Sequence, residues 1–309
     1  MKKALVTGGA GFIGSNLVEK LVEQDIQVVV LDDLYLGDEK NLEAVKDDIE
    51  FINGSVLDEK KVEKAVADVD TVFHLAARSS SPMHKEDAAE GANVNVTGFV
   101  NTVEAAKQAG VEKVVYASTS SMYGSVKPPH TEEDDVRPPN LYTASKLARE
   151  VYADCYSYRE EIQTTGLRFF SVYGPHEKSK GKFANIVTQF LWKIQNGESP
   201  VIWGDGKQQR DLVYVEDVAN ALIKAAETRK ELDGEVFNVG TGRPQSFNTV
   251  VKELNNVLGT DIEAEHVENP RDNYVEQHCA DLEKTEQVLG WEPEYSFEQG
   301  LEKIAEYYS

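Results

Sequence analysis

The sequence predicts an α/β fold: a doubly wound parallel sheet with a smaller α/β substrate-binding part toward the C-terminus. Two observations predict it. Strand-length apolar runs alternate with helix-periodic stretches from residue 4 to about residue 170. The first run, residues 4–6, passes through Gly8, Gly11 and Gly14 straight into a helical pattern, Ile13, Leu17, Leu21 and Val22.

The next run, residues 26–31, ends at Asp32, eighteen residues past Gly14. Strand, glycine turn, helix, strand and acid make a βαβ unit of the dinucleotide-binding kind, a Rossmann-like element. The glycines let the backbone turn sharply and approach a pyrophosphate. The helix behind them aims free N–H groups and its positive dipole end at the phosphates. Asp32 is placed to accept hydrogen bonds from an adenosine ribose. Its carboxylate suits a free 2′-hydroxyl and repels a 2′-phosphate, so the cofactor expected is NAD.

Composition bounds the rest. The chain has 309 residues and a net charge of −22. No Lys/Arg cluster offers a basic face, so a nucleic-acid partner is not expected. An anionic small substrate fits only if a few arginines meet its phosphates. The longest apolar runs are strand length, so no membrane span is expected. The start at Met1-Lys2-Lys3 leads directly into the first strand, so no secretory leader is expected. Cys155 and Cys279 lack metal spacing and read as reduced thiols of a cytoplasmic protein. No metal site is expected. The dinucleotide-binding part is assigned residues 1–170 plus about 213–240. The smaller part is assigned residues 171–212 and 241–309.

Further strands are expected at residues 51–52, 71–75, 111–117, 164–170, 200–203 and 235–239, and near Ile262. Helices are expected at 59–67, 86–110, from Leu141, 182–196, to about Thr228, and at 247–257, 281–289 and 297–307. Asn95 falls inside a helical stretch, where Asn is a poor former, and reads as a buried polar anchor for a neighbouring loop. The hydroxyl run Ser118-Thr119-Ser120-Ser121 lies at a strand's C-terminal end, facing the ligand crevice of an open sheet. The acidic segment 132–135, bracketed by prolines, is expected to be an exposed flap. Tyr142 and Lys146 are four apart and share one helix face. Lys146, with the cofactor's positive ring, is expected to pull the Tyr142 phenol below its ordinary value near 10 and make it a base.

Together, Thr7-Gly8-Gly9-Ala10-Gly11-Phe12-Ile13-Gly14, His74-Leu75-Ala76-Ala77, Asn95, Thr119, Tyr142-x-x-x-Lys146, Leu167-Arg168-Phe169-Phe170 and the run Arg210-Asp211-Leu212-Val213-Tyr214 resemble the extended short-chain dehydrogenase/reductase family. The nucleotide-sugar epimerase branch is the most similar. The resemblance covers essentially the whole chain and implies a role for each matching position. Phe12 and Ile13 cover the pyrophosphate. Asp32, Asp33, Leu34 and Gly37 hold the adenosine, with Ser55 and Val56 at the adenine. Leu75, Ala76, Ala77 and Arg78 line the cofactor's middle, Asn95 supports it, and Phe170 flanks the nicotinamide. Thr119, Tyr142 and Lys146 are catalytic. Ser80, Ser120, Ser171, Arg210, Arg271 and His278 contact the substrate, His278 beside the sugar's 2-substituent.

The resemblance implies 4-epimerisation of a UDP-hexose, glucose to galactose, through a 4-keto sugar. UDP-N-acetylglucosamine or UDP-glucuronate 4-epimerisation is the alternative. A dehydratase, a decarboxylase and a non-catalytic NAD-binding regulator are further rivals. Dehydratases of the family carry an Asp-Glu pair where this chain has Ser120-Ser121, and Tyr142 with Lys146 are residues that a regulator would lack. A homodimer through helices 86–110 and 140–158 is also implied. The chain departs from the family at Ser55, where Asp is usual, at Ser171, where Asn is common, and at Leu212, which replaces an aromatic residue of some members.

Overall fold

Seven parallel strands organise the molecule. β1 (Lys3–Thr7), β2 (Gln27–Asp32), β3 (Ile49–Asn53), β4 (Thr71–His74), β5 (Lys113–Thr119) and β6 (Gln163–Phe169) are joined by a seventh, Val236–Val239. The structure, a computed structural model, describes residues 1–160, 162–230, 232, 234–270 and 275–309. In space the order is Val236–Val239, β6, β5, β4, β1, β2, β3, with every neighbouring pair parallel. This is the doubly wound sheet the sequence predicts. The order reverses between β1 and β4, and a crevice opens at the C-terminal ends of strands that part in this way.

Successive residues of β1 feed opposite faces. Ala4 and Val6 pack with helix α1 (Phe12–Glu23) and the helix Val215–Glu227. Leu5 packs on the other side with the helices Glu59–Ala65 and Gly98–Ala109. Burial on both faces explains why these strands read as unbroken apolar runs. A third apolar cluster joins Tyr173, Ile202, Leu212 and Tyr214 to the helices Ile186–Gln195, Phe247–Leu258 and Phe297–Tyr307. Three two-stranded sheets edge this cluster: Ser171–Tyr173 with Leu212–Tyr214, Gln209–Arg210 with Gln245–Ser246, and Val201–Trp203 with Glu265–Val267.

Four expectations change. The helix expected over 86–110 is a broken series: Ser81–Glu86, Ala88–Ala92, a π-turn Asn93–Thr97, then Gly98–Ala109. Asp87 causes the first break. Its backbone is extended and its carboxylate caps the next helix at Glu90 N (2.9 Å). The helix expected from 182 starts at Ile186, where Asn185 accepts from Val187 N. The strand expected near Ile262 lies at Glu265–Val267, because the Asn255 side chain takes both Ile262 backbone groups (2.8 and 2.9 Å). The acidic flap is exposed at Glu133 and Asp135 but pinned at Glu132: its Oε1 accepts from Asn238 N (2.6 Å), and Arg168 donates to its carbonyl (3.2 Å). Among the described residues, no helix is long and apolar enough to cross a membrane.

Candidate active site

The glycine turn brings two strand ends together. Gly8 sits at φ +71°, and a Cβ there would lie 2.8 Å from Ala76 N, after β4. A Cβ on Gly14 would overlap the Gly8 carbonyl oxygen. The N-cap of α1 is Gly11, which supplies no side-chain cap, so the first-turn N–H groups keep their capacity for an anion. The Asp32 carboxylate accepts from Ala10 N (2.9 Å) and Leu34 N (2.8 Å), tying the loop after β2 to the glycine turn. Burial pushes the Asp32 pKa above the usual carboxylate range, against the pull of those bonds.

A crevice of about 340 Å³ runs from this turn along the sheet's C-terminal edge. Its wall brings together Gly8, Gly11, Phe12, Ile13, Gly14, Asp32, Asp33, Gly37, Ser55, Val56, Leu75, Ala76, Ala77 and Arg78, then Thr119, Tyr142, Lys146, Phe170 and Ser171. Five of the remaining expected residues stand off it, and a sixth, Leu34, at φ +58°, reaches Asp32 through its backbone. Asn95 lies behind the wall and grips Arg78 by both backbone groups (2.8 and 3.2 Å) and Ser145 Oγ (2.9 Å), acting as the loop anchor its position suggested. The Ser80 carbonyl meets His84 Nδ1 (3.2 Å), and Ser120 is buried in the turn Ser120–Tyr123. Arg210 donates to the Gln209 carbonyl (2.7 Å) and stands 5.6 Å from the Phe247 ring. His278 packs edge-on to His130 (5.1 Å) and to Phe170 (6.3 Å), one ring removed from the crevice. Arg271 lies outside the described residues.

The candidate reactive groups come from β5 and the helix Leu141–Glu160. Thr119 ends β5, and a hydrogen bond from its hydroxyl favours the Tyr142 phenolate. The downward pull expected of Lys146 joins with the cofactor's positive ring; in the protein alone Lys146 does not lower the phenol. Burial pushes Tyr142 up, outweighing both the Thr119 bond and the charge of Arg149. Lys146 is turned to the Ala117 carbonyl (3.0 Å), with Nζ 6.0 Å from the Tyr142 ring centre. Burial, then Arg149, hold the Lys146 amine well below its ordinary value.

Sequence reading missed Arg149 and His84. Arg149 is fully buried and donates to the carbonyls of Ala117 (3.1 Å), Asn95 (3.0 and 3.2 Å) and Ala76 (3.3 Å). Its signal was the helical spacing 142, 146, 149 on one face. His84 is buried between Asn95 Nδ2 and Ser145 Oγ (both 3.3 Å) and stands edge-on to Tyr142 at 5.5 Å. Arg168 proves to be a structural hub. It holds Glu150 through two bonds (2.8 and 3.1 Å) and donates to Tyr123 OH (3.0 Å), while the Ser118 hydroxyl donates to the same Glu150. Both cysteines are free thiols. Among the described residues, no cluster of three or more His, Cys, Asp or Glu is arranged to hold a metal.

The glycine cradle, the acid at the end of β2 and the tyrosine-lysine pair fit a bound nicotinamide dinucleotide. The model of the NAD dependent epimerase/dehydratase family matches residues 4–240. The chain is 34% identical, over 97% of its length and 96% of the relative's, to a putative UDP-glucose 4-epimerase of Methanocaldococcus jannaschii. It is 32% identical, over 99% of its length and 98% of the relative's, to a UDP-N-acetyl-α-D-glucosaminuronate decarboxylase of Bacillus cytotoxicus. Among solved structures it is similar to a UDP-N-acetylglucosamine 4-epimerase of Methanobrevibacter ruminantium in complex with UDP-N-acetylmuramic acid, with a TM-score of 0.93, 31% identity, and coverage of 99% and 98% of the two chains. By name these relatives act on nucleotide sugars and differ both in the sugar and in the reaction. The chain is an enzyme of the NAD-dependent epimerase/dehydratase family.

Proposed function

We propose that the enzyme is a 4-epimerase interconverting UDP-glucose and UDP-galactose through a transient 4-keto sugar. One observation carries the reading. Thr119 and Tyr142 share the crevice wall, and no free carboxylate accompanies them in the run 118–121. Elimination of water needs an added acid and base. Glu150, which touches the run at Ser118, is occupied by Arg168. Epimerisation needs only a group that takes and returns the proton of one hydroxyl.

Tyr142 is that group, and Thr119 holds the same sugar oxygen while the proton moves. Arg149 and the Thr119 bond favour the phenolate, and burial opposes them. When bound, NAD supplies the reversible oxidation at C4 and a positive charge that also favours the phenolate. Lys146 and Arg149, both anchored on the Ala117 carbonyl, keep the tyrosine's helix in register with β5. Ser171 and Arg210 are assigned to the diphosphate, for which a guanidinium fork is suited. Val151, Tyr152 and Tyr158 are exposed along the helix Leu141–Glu160, an apolar stripe that supports the homodimer.

A panel of UDP-glucose, UDP-N-acetylglucosamine, UDP-glucuronate and dTDP-glucose, followed by proton NMR, tests the proposal. Inversion at C4 of UDP-glucose, without loss of water or carbon dioxide from any sugar, is expected. Elimination or decarboxylation as the main product, or C4 inversion of UDP-N-acetylglucosamine or UDP-glucuronate in preference to UDP-glucose, overturns it.

A further inference from the structure

We propose that Arg78 and Tyr35 form a clasp across the rim of the crevice that slows escape of the bound dinucleotide. The inference rests on the use of this crevice for NAD. The Arg78 guanidinium carbon lies 3.6 Å from the centre of the Tyr35 ring. Glu90 (3.0 Å) and Asp33 (3.4 Å) hold the guanidinium's outer nitrogens. Tyr35 is 54% exposed yet lines the crevice.

The position of the contact matters. Tyr35 follows β2 and Arg78 follows β4, and these two strands flank β1 in the sheet. A contact between their loops therefore bridges the end of β1, where the glycine turn lies. Both sides stand on fixed supports. The loop carrying Tyr35 is tied to the Asp32 carboxylate through Leu34 N and to the Asp33 carboxylate through Tyr35 N. Arg78 is gripped at N and O by Asn95, which in turn holds Ser145 on the helix of Tyr142.

One donor of Arg78 is unused. The residue is 9% exposed, and Nε is buried with no hydrogen-bond partner among the described residues. A buried N–H without an acceptor is costly, so one kept beside a crevice is suited to an acceptor that the crevice binds. The acceptor chemistry that fits is a phosphate or ribose oxygen. Retention also suits the proposed reaction. The cofactor returns to its starting state in each cycle, and its loss in mid-cycle would strand a keto sugar.

The test reads nucleotide release directly. Wild type, Tyr35→Ala and Tyr35→Phe are loaded with NAD and desalted, and the protein-bound NAD is followed over time by chromatography. Tyr35 is largely exposed, so the alanine variant is expected to fold, which the thermal midpoint checks. Stacking of this kind sets the scale: Y35A is expected to release NAD about tenfold faster than wild type, and Y35F, which keeps the ring, close to wild type. Equal release from wild type and Y35A overturns the clasp. Failure of the wild type to retain any NAD overturns instead the reading of the crevice on which the clasp rests.

Discussion

Lys146 and Arg149 donate to the same acceptor, the carbonyl of Ala117, at 3.0 and 3.1 Å. Burial disfavours both charges, and the lysine yields: burial, with the Arg149 charge adding to it, holds its amine well below the ordinary value, while burial lowers the guanidinium to about 10. Arg149 stays because its fork also satisfies the carbonyls of Asn95 and Ala76. Arg149→Met keeps much of the volume and leaves those carbonyls unpaired. Lost charge-assisted bonds of this kind cost about 2–4 kcal/mol in total. A lower urea midpoint with an unchanged slope is expected, and a midpoint equal to wild type contradicts this role.

Asp217 makes a pH-dependent contribution of known sign. It is fully buried at the start of the helix Val215–Glu227 and accepts from Glu294 N (2.9 Å) and Tyr295 N (3.3 Å). Burial raises its pKa to about 6. The folded value lies above the unfolded one, so the folded state holds the proton longer. The stability this confers is full below about 4 and is lost as pH rises to about 6. A shift of about two units corresponds to roughly 3 kcal/mol. Denaturation of wild type relative to Asp217→Asn is expected to show that fall across this window. A rise in relative stability with pH contradicts it.

His278 is neutral at any working pH. Burial, then the charge of Arg210 and the neighbouring His130, push its pKa down to about 3. It acts through bulk, as part of the ring cluster with His130 and Phe170. If it limits the substituent at C2 of the sugar, His278→Ser raises kcat/KM for UDP-N-acetylglucosamine relative to UDP-glucose by at least about tenfold, the scale of steric discrimination in a pocket. An unchanged ratio removes His278 from that role.

The Asp32 carboxylate already accepts two backbone N–H groups, so it shapes the site in addition to the ribose-binding role proposed for it. Asp32→Ala frees the loop that follows and removes the repulsion of a 2′-phosphate. Titration calorimetry is expected to show NAD binding weakened by about tenfold or more and the preference over NADP reduced. Undiminished NAD affinity contradicts the assignment.

The parts of the site that sequence exposes are those with fixed local spacing. Gly8, Gly11 and Gly14 must sit at set intervals to turn between strand and helix. Tyr142 and Lys146 must be four apart to share a face. The strands were legible because burial on both faces makes them continuous apolar runs. The rest depends on partners distant in the chain. Arg149 acts through Ala76, Asn95 and Ala117, and Tyr35 meets Arg78 across β1, which no local pattern marks. The break at Asp87 was hidden because helix periodicity continues on both sides of it. The burial that raises Tyr142 in the protein alone comes from packing that no local pattern marks.

Tyr142→Phe is the most direct test of the proton transfer on which the chemistry depends. It removes one oxygen from the crevice wall and leaves the ring. General acid–base groups supply about 10²- to 10⁴-fold of rate. Epimerisation of UDP-glucose by the variant is expected to fall by at least that factor, with UDP and NAD binding by calorimetry unchanged. Turnover within a few-fold of wild type would show that the proton leaves by another route.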